Sequence, residues 1–211
     1  MTDRVVVGGA RDVRGSLDTP VDADACVVAC PPHPRMGGSR QDTRLTAIAD
    51  ALVERGVACL RFDYGEWDGG RGERADATAA CDWARERYDR IGLVGYSFGA
   101  AVALSVAANR TDLAAVSVLA APAGVGGTGH DGENTGDDEA DGDAVTAVDA
   151  VEAPLQVVYG ERDDTVSWRP VVAAAREAGA TVEGVAADHH FVGQSGTVGD
   201  TVGAFLADAL A

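Results

Sequence analysis

In Gly95-Tyr96-Ser97-Phe98-Gly99 a serine stands between two glycines, each two residues away. A serine hydroxyl is a weak nucleophile near neutral pH. It becomes an effective one where a base takes its proton and a third group orients that base. The apolar run RIGLV ends just before this pentapeptide, and the alanine-rich run FGAAVALSVAANR begins at its fourth residue. A serine displayed on a sharp strand-to-helix turn of this kind is a nucleophile elbow, the chemistry of which is acyl transfer. The glycines have a mechanical role there, because a side chain two positions from the serine would crowd the strand and helix that meet at the turn. The helix aims its N-terminal amides and the positive end of its dipole at the serine oxygen and at any oxyanion formed beside it.

The base and its orienting acid are expected downstream. After the run PLQVVYG come Glu161, Asp163 and Asp164, and after TVEGVAA come Asp188, His189 and His190. Both groups follow the carboxyl end of a predicted strand, where open α/β sheets build their sites. Serine, acid, histidine is the chain order this chemistry uses on such a sheet. From the residues alone, Asp164 competes with Asp163 and His190 with His189, while Asp188 fits a turn.

These groups need a scaffold, and the pattern of the chain supplies one. Residues 4–9 and 12–17 read as two strands of an antiparallel hairpin. DACVVAC (24–30) is a continuous apolar run, as expected of a strand buried on both faces. RLTAIADALVERG has apolar residues at helical spacing and a terminal glycine. Then follow the strand VACLRFD (57–63), the helix ATAACDWARERY (77–88), the strand RIGLVGY, the helix after Ser97, strands in LAAVSVLAAP and PLQVVYG, the helix RPVVAAAREAG, the strand TVEGVAA and a closing helix in TVGAFLADALA. Strand and helix in alternation predict a mostly parallel, doubly wound α/β sheet in a single domain spanning residues 1–211. Residues 124–143, rich in Gly and Asp with almost nothing to bury, are expected to form a disordered or mobile loop that contains His130. No internal repeat is evident.

Taken together, ACPPHPRMGGSRQD, LRFDYGE, LVGYSFGA, VVYGERDDTV and ADHHFVG resemble the α/β-hydrolases, in particular the small, nearly capless, dienelactone-hydrolase-like group. The resemblance spans nearly the whole chain and implies an α/β-hydrolase fold with an N-terminal antiparallel hairpin and a minimal cap or none. By the family pattern Ser97 is the nucleophile. The acid follows the last glycine of its strand by three positions and precedes a valine by three, which selects Asp163; the histidine follows Ala-Asp, which selects His189. The loop Cys30-Pro31-Pro32-His33-Pro34-Arg35-Met36-Gly37-Gly38 sits where the family places its second oxyanion amide, with proline in place of the pattern's first histidine. The backbone N–H groups of Phe98 and Arg35 are nominated as the donors, Met36 being the rival to Arg35, and His33 is read as ordering the loop. True dienelactone hydrolases use cysteine as nucleophile, so the serine here weakens inference to that substrate. The resemblance implies a carboxylesterase-like serine hydrolase acting on a small acyl substrate, and no cofactor or metal is required. An acyltransferase on the same triad and a non-catalytic protein retaining the elbow are the other readings.

Composition limits the partners. The chain has 34 acidic residues against 17 basic ones, all arginine, for a net charge of −17. A nucleic-acid partner is not expected, because that charge repels a phosphate backbone. The lysine-free, Asp-rich composition resembles that of cytoplasmic proteins from salt-accumulating archaea, where a Debye length of about 3 Å at molar salt suppresses self-repulsion. No apolar run approaches the roughly 18 residues of a membrane span, and the N-terminus lacks an export pattern; a cytoplasmic location is expected. Cys26, Cys30, Cys59 and Cys81 read as reduced core residues, and the histidines lack the spacing of a zinc site. The sequence carries no signal of oligomeric state.

Overall fold

Eight strands join in one sheet in the computed structural model, which describes residues 1–9, 11, 13–124 and 144–211. The expectation for 124–143 lies, apart from Gly124, outside the described residues. Strands β1 (Thr2–Val7) and β2 (Val13–Asp18) form the antiparallel hairpin. β3 (Ala25–Cys30), β4 (Ala58–Asp63), β5 (Arg90–Tyr96), β6 (Ala115–Leu119), β7 (Leu155–Gly160) and β8 (Thr181–Val185) run parallel to one another. β2 pairs antiparallel with β4, and the order across the sheet is β1-β2-β4-β3-β5-β6-β7-β8. The chain fills the sheet in one direction from β3 to β4, then returns to place β5 on the other side of β3. That reversal lies between β3 and β5, and ligands of open α/β sheets bind at the carboxyl ends of the strands at such a place.

Every residue of β3 is buried and so is nearly every residue of β5, which is why both read as unbroken apolar runs. The edge strands β1 and β8 are largely exposed and their patterns are correspondingly weaker. Helices α1 (Thr43–Glu54) and α6 (Ser195–Ala209) cover one face of the sheet. Helices α2 (Arg71–Arg85), α3 (Phe98–Ala107), α4 (Ala144–Ala150) and α5 (Arg169–Glu177) cover the other. α1 starts at Asp42, whose carboxylate accepts the amides of Arg44 (2.9 Å) and Leu45 (3.3 Å), and it buries Leu45, Ile48, Ala49 and Leu52 at helical spacing. α3 is buried almost all round, as a helix flanked by α2 and α4 must be, and its alanines allow that close packing.

The expected elements are present, with three differences. α2 begins six residues before the expected ATAACDWARERY because Glu73 accepts the Gly70 amide and holds the first turn. α6 likewise begins six residues before the expected segment, running through Gly196 and Gly199. α4 was not expected at all.

Candidate active site

Ser97 occupies φ 56° and ψ −121°, a strained conformation for a residue with a side chain, between the end of β5 and the start of α3. Its amide donates to the Leu119 carbonyl at the end of β6 (2.9 Å), which locks the turn to the sheet. A Cβ at Gly95 would overlap the Gly99 carbonyl, and one at Gly99 would overlap the carbonyls of Cys30 and Pro31. Both glycines are therefore required by close approach, within the elbow and between the elbow and the β3 loop.

The residues expected from three distant parts of the chain meet here. Ser97 Oγ lies 3.0 Å from His189 Nε2, and His189 Nδ1 lies 2.8 Å from Asp163 Oδ2. Asp163 is 3% exposed and His189 5%, whereas Asp164 and His190 are exposed, so burial separates the members of each adjacent pair. Asp163 Oδ1 accepts the amides of Thr165 (2.9 Å) and Val166 (3.3 Å). Burial pushes the Asp163 carboxyl up, but the hydrogen bonds from His189 and from these amides outweigh it and hold the group below the usual carboxylate range. A carboxylate that stays ionised beside Nδ1 fixes the tautomer that leaves Nε2 free to accept the serine proton.

Two aromatic side chains pin the backbone of the acid and the base. Trp168 Nε1 donates to the Asp163 carbonyl (2.9 Å), its ring stacked on Tyr159 with centroids 4.5 Å apart. The Tyr96 hydroxyl donates to the His189 carbonyl (3.1 Å); burial pushes this phenol up to about 12, so it remains a donor at ordinary pH. Arg44 lies over the Tyr96 ring at 4.5 Å, donates to the His190 carbonyl (3.0 Å) and is paired with Asp42. Phe191, fully buried at φ 49°, completes the histidine loop. None of Tyr96, Arg44, Trp168 or Phe191 was nominated from the sequence. Their contacts to the site are largely to main-chain carbonyls, which leave no residue-type signature.

The β3 loop folds back on itself through its own amides. The Arg35 amide donates to Nδ1 of His33 (3.2 Å) and the Met36 amide to the His33 carbonyl (3.0 Å), together closing a 3-10 turn over Pro34–Met36. The amide nominated as the second oxyanion donor, and its rival, are thus both committed within their own loop. The Phe98 and His33 amides have no acceptor among the described residues. The His33 ring packs 4.9 Å from that of Phe98, which sets its loop against the elbow. His33 orders this loop, as the sequence reading had it. Its imidazole is held below the usual histidine range by burial and by the charge of Arg35, with Glu73 pulling the other way.

Among the described residues no group of three or more His, Cys, Asp or Glu side chains could hold a metal ion, and no helix is long and apolar enough to cross a membrane. All four cysteines are buried and free, and burial pushes the Cys81 thiol up to about 12.

Residues 70–191, more than half of the chain and including Ser97, Asp163 and His189, match the model of the dienelactone hydrolase family. The chain belongs to this family. It is 39% identical over 95 residues to the quorum-quenching protein AidA of Acinetobacter baumannii, a stretch that covers 38% of this chain and 31% of that protein. The chain spans only 31 to 39% of the length of the curated relatives it matches. An α/β serine hydrolase homologue from Coxiella burnetii superposes with a TM-score of 0.78 at 24% identity, covering 98% of each chain. An α/β serine hydrolase without a lid from Xanthomonas campestris superposes with a TM-score of 0.74 at 24% identity, covering 97% of this chain and 95% of that one. These likenesses establish an α/β-hydrolase fold.

Proposed function

We propose that this chain is a serine hydrolase that cleaves an ester-type bond of a small substrate through a covalent acyl-enzyme. The observation that carries the reading is the unbroken run of hydrogen bonds from Ser97 Oγ through His189 to Asp163, on an elbow held in strain. In acylation Ser97 Oγ attacks the carbonyl carbon while its proton passes to His189 Nε2. The carbonyl becomes an oxyanion facing the amides of Phe98 and His33, the latter replacing Arg35 in that role. Collapse breaks the bond to the leaving alcohol, which takes the proton from His189. A water molecule then attacks the acyl carbon, gives its proton to His189, and releases the acid as that proton returns to Ser97. Asp163 stays ionised throughout and stabilises the imidazolium.

Membership of the dienelactone hydrolase family supports a hydrolase acting on esters. The elbow serine, where true dienelactone hydrolases carry cysteine, supports a different substrate from theirs. The acidic, lysine-free composition supports a salt-rich cytoplasm as the working medium. The test is steady-state turnover of short-chain esters in concentrated KCl. Turnover that Ser97→Ala lowers by several orders of magnitude, with the fold retained, supports the reading. No turnover by folded wild-type protein on a broad panel of esters overturns it. Transfer of the acyl group to added alcohol in preference to water assigns an acyltransferase instead.

A further inference from the structure

Phe98, whose amide faces the proposed oxyanion, is in ring contact with His33, Trp67 and, edge-on, Tyr64. His33 lies 4.9 Å from it, Trp67 5.5 Å, and His33 and Trp67 lie 4.4 Å from each other at 33°. Phe98 is buried, but His33 and Trp67 are only half-buried and keep open surface beside Phe98, the residue that follows the proposed nucleophile. His33 also supplies the second proposed oxyanion amide, so whatever is attached to a carbonyl bound there lies next to these rings.

The loop that carries Trp67 is braced by two carboxylates and an arginine. Asp76 accepts the Gly65 amide (2.9 Å), and Glu73 accepts those of Asp68 (3.0 Å) and Gly70 (2.7 Å). Glu73 is fully buried and Asp76 is 2% exposed. Arg11, from the hairpin connection, pairs with Asp76 (3.2 Å) and Glu73 (3.8 Å) and donates to the Glu66 carbonyl. Two buried carboxylates and one arginine thus fix the backbone on either side of a tryptophan that is itself left partly in solvent. Burying charges is expensive. Core packing of a half-exposed ring does not require it, whereas holding that ring at a set place against His33 and Phe98 does.

We propose that His33 and Trp67 form a subsite that stacks a flat aromatic ring adjacent to the scissile carbonyl, making aryl esters the preferred substrate class. This rests on Ser97 being the nucleophile. The His33 imidazole, held neutral by burial and Arg35, offers an uncharged face rather than a repelling or ion-pairing one. Offset or tilted stacking favours a flat ring over a saturated ring of like size by about three- to tenfold.

Two ester pairs test this: methyl benzoate against methyl cyclohexanecarboxylate, and phenyl acetate against cyclohexyl acetate. The aryl-to-cyclohexyl ratio of kcat/KM is compared between wild type and Trp67→Leu, so intrinsic reactivities cancel. The ratio is expected to fall about three- to tenfold in at least one pair, which identifies the acyl or the alcohol side, and to persist in Trp67→Phe. Equal ratios in wild type and Trp67→Leu for both pairs overturn the subsite. Calorimetric binding of benzamide against cyclohexanecarboxamide to wild-type protein needs neither turnover nor a folded variant. A similar preference for benzamide supports the subsite, and equal affinities overturn it. Absence of ester turnover with benzamide preferred would fault the hydrolase reading alone; turnover without aryl preference would fault the subsite alone.

Discussion

At the scale of single residues, the proposed chemistry depends on the ordering of charge around His189. Asp163 is held below the usual carboxylate range, so its ionised form is bound more tightly in the folded protein than in the unfolded chain. The stability this confers is present above the carboxylate's unfolded value of about 4 and is lost as pH falls through the depressed folded value. The difference in melting temperature between wild type and Asp163→Asn is therefore expected to narrow as pH is lowered from about 6 to about 3, measured by thermal unfolding. A constant difference across that range would contradict the assignment. The same substitution should leave the fold intact and lower kcat by about four orders of magnitude, because an amide at that position no longer fixes the tautomer. The meeting of Ser97, Asp163 and His189 was legible because each sits a few residues past a strand end in a recognisable local pattern. The Arg35 amide was less legible, because local geometry decides its partner: His33 turns its own Nδ1 onto it. Whether an amide is spent within its loop cannot be read from residue type.

At the scale of elements, buried strands were the most legible part of the chain, since ACVVAC and RIGLVGY state their burial in composition. Helix starts were less so. The onset of α6 was hidden by glycines; a Cβ at Gly199 would lie 2.7 Å from the Ala47 carbonyl, so the requirement comes from α1 and not from helix propensity. Pairing across the sheet was equally hidden. Arg61 on β4 joins Asp18 on β2 (2.8 Å) and donates to the Arg40 carbonyl (2.7 Å) and to Thr46 (3.0 Å), tying the hairpin and the segment after the β3 loop to the sheet. Both charged side chains are about nine-tenths buried. Arg61→Leu is expected to destabilise the protein by about 3 to 5 kcal/mol by leaving Asp18 buried and unpaired, read from the urea midpoint. The double change Asp18→Leu with Arg61→Leu should recover much of that loss. If the double variant were no more stable than the single one, an uncompensated charge would not be the cause.

At the scale of the whole molecule, fold and surface answer to different pressures. The mostly parallel sheet follows from the alternation of strand and helix. The charge of −17, with arginine as the only strong base, concerns the solvent. Self-repulsion at that charge loosens a compact state in dilute buffer, and molar salt screens it. The melting temperature is expected to rise continuously from low to molar KCl; a flat or falling profile would contradict a salt-rich medium. The proposed activity requires that Ser97 be activated by its place in the fold. Intact-mass analysis after exposure to a fluorophosphonate probe in concentrated KCl tests this most directly. The result expected is a single adduct mapped to Ser97, abolished in Ser97→Ala and slowed by orders of magnitude in His189→Ala. Folded wild-type protein that stays unlabelled, or that is labelled equally fast without His189, would contradict it.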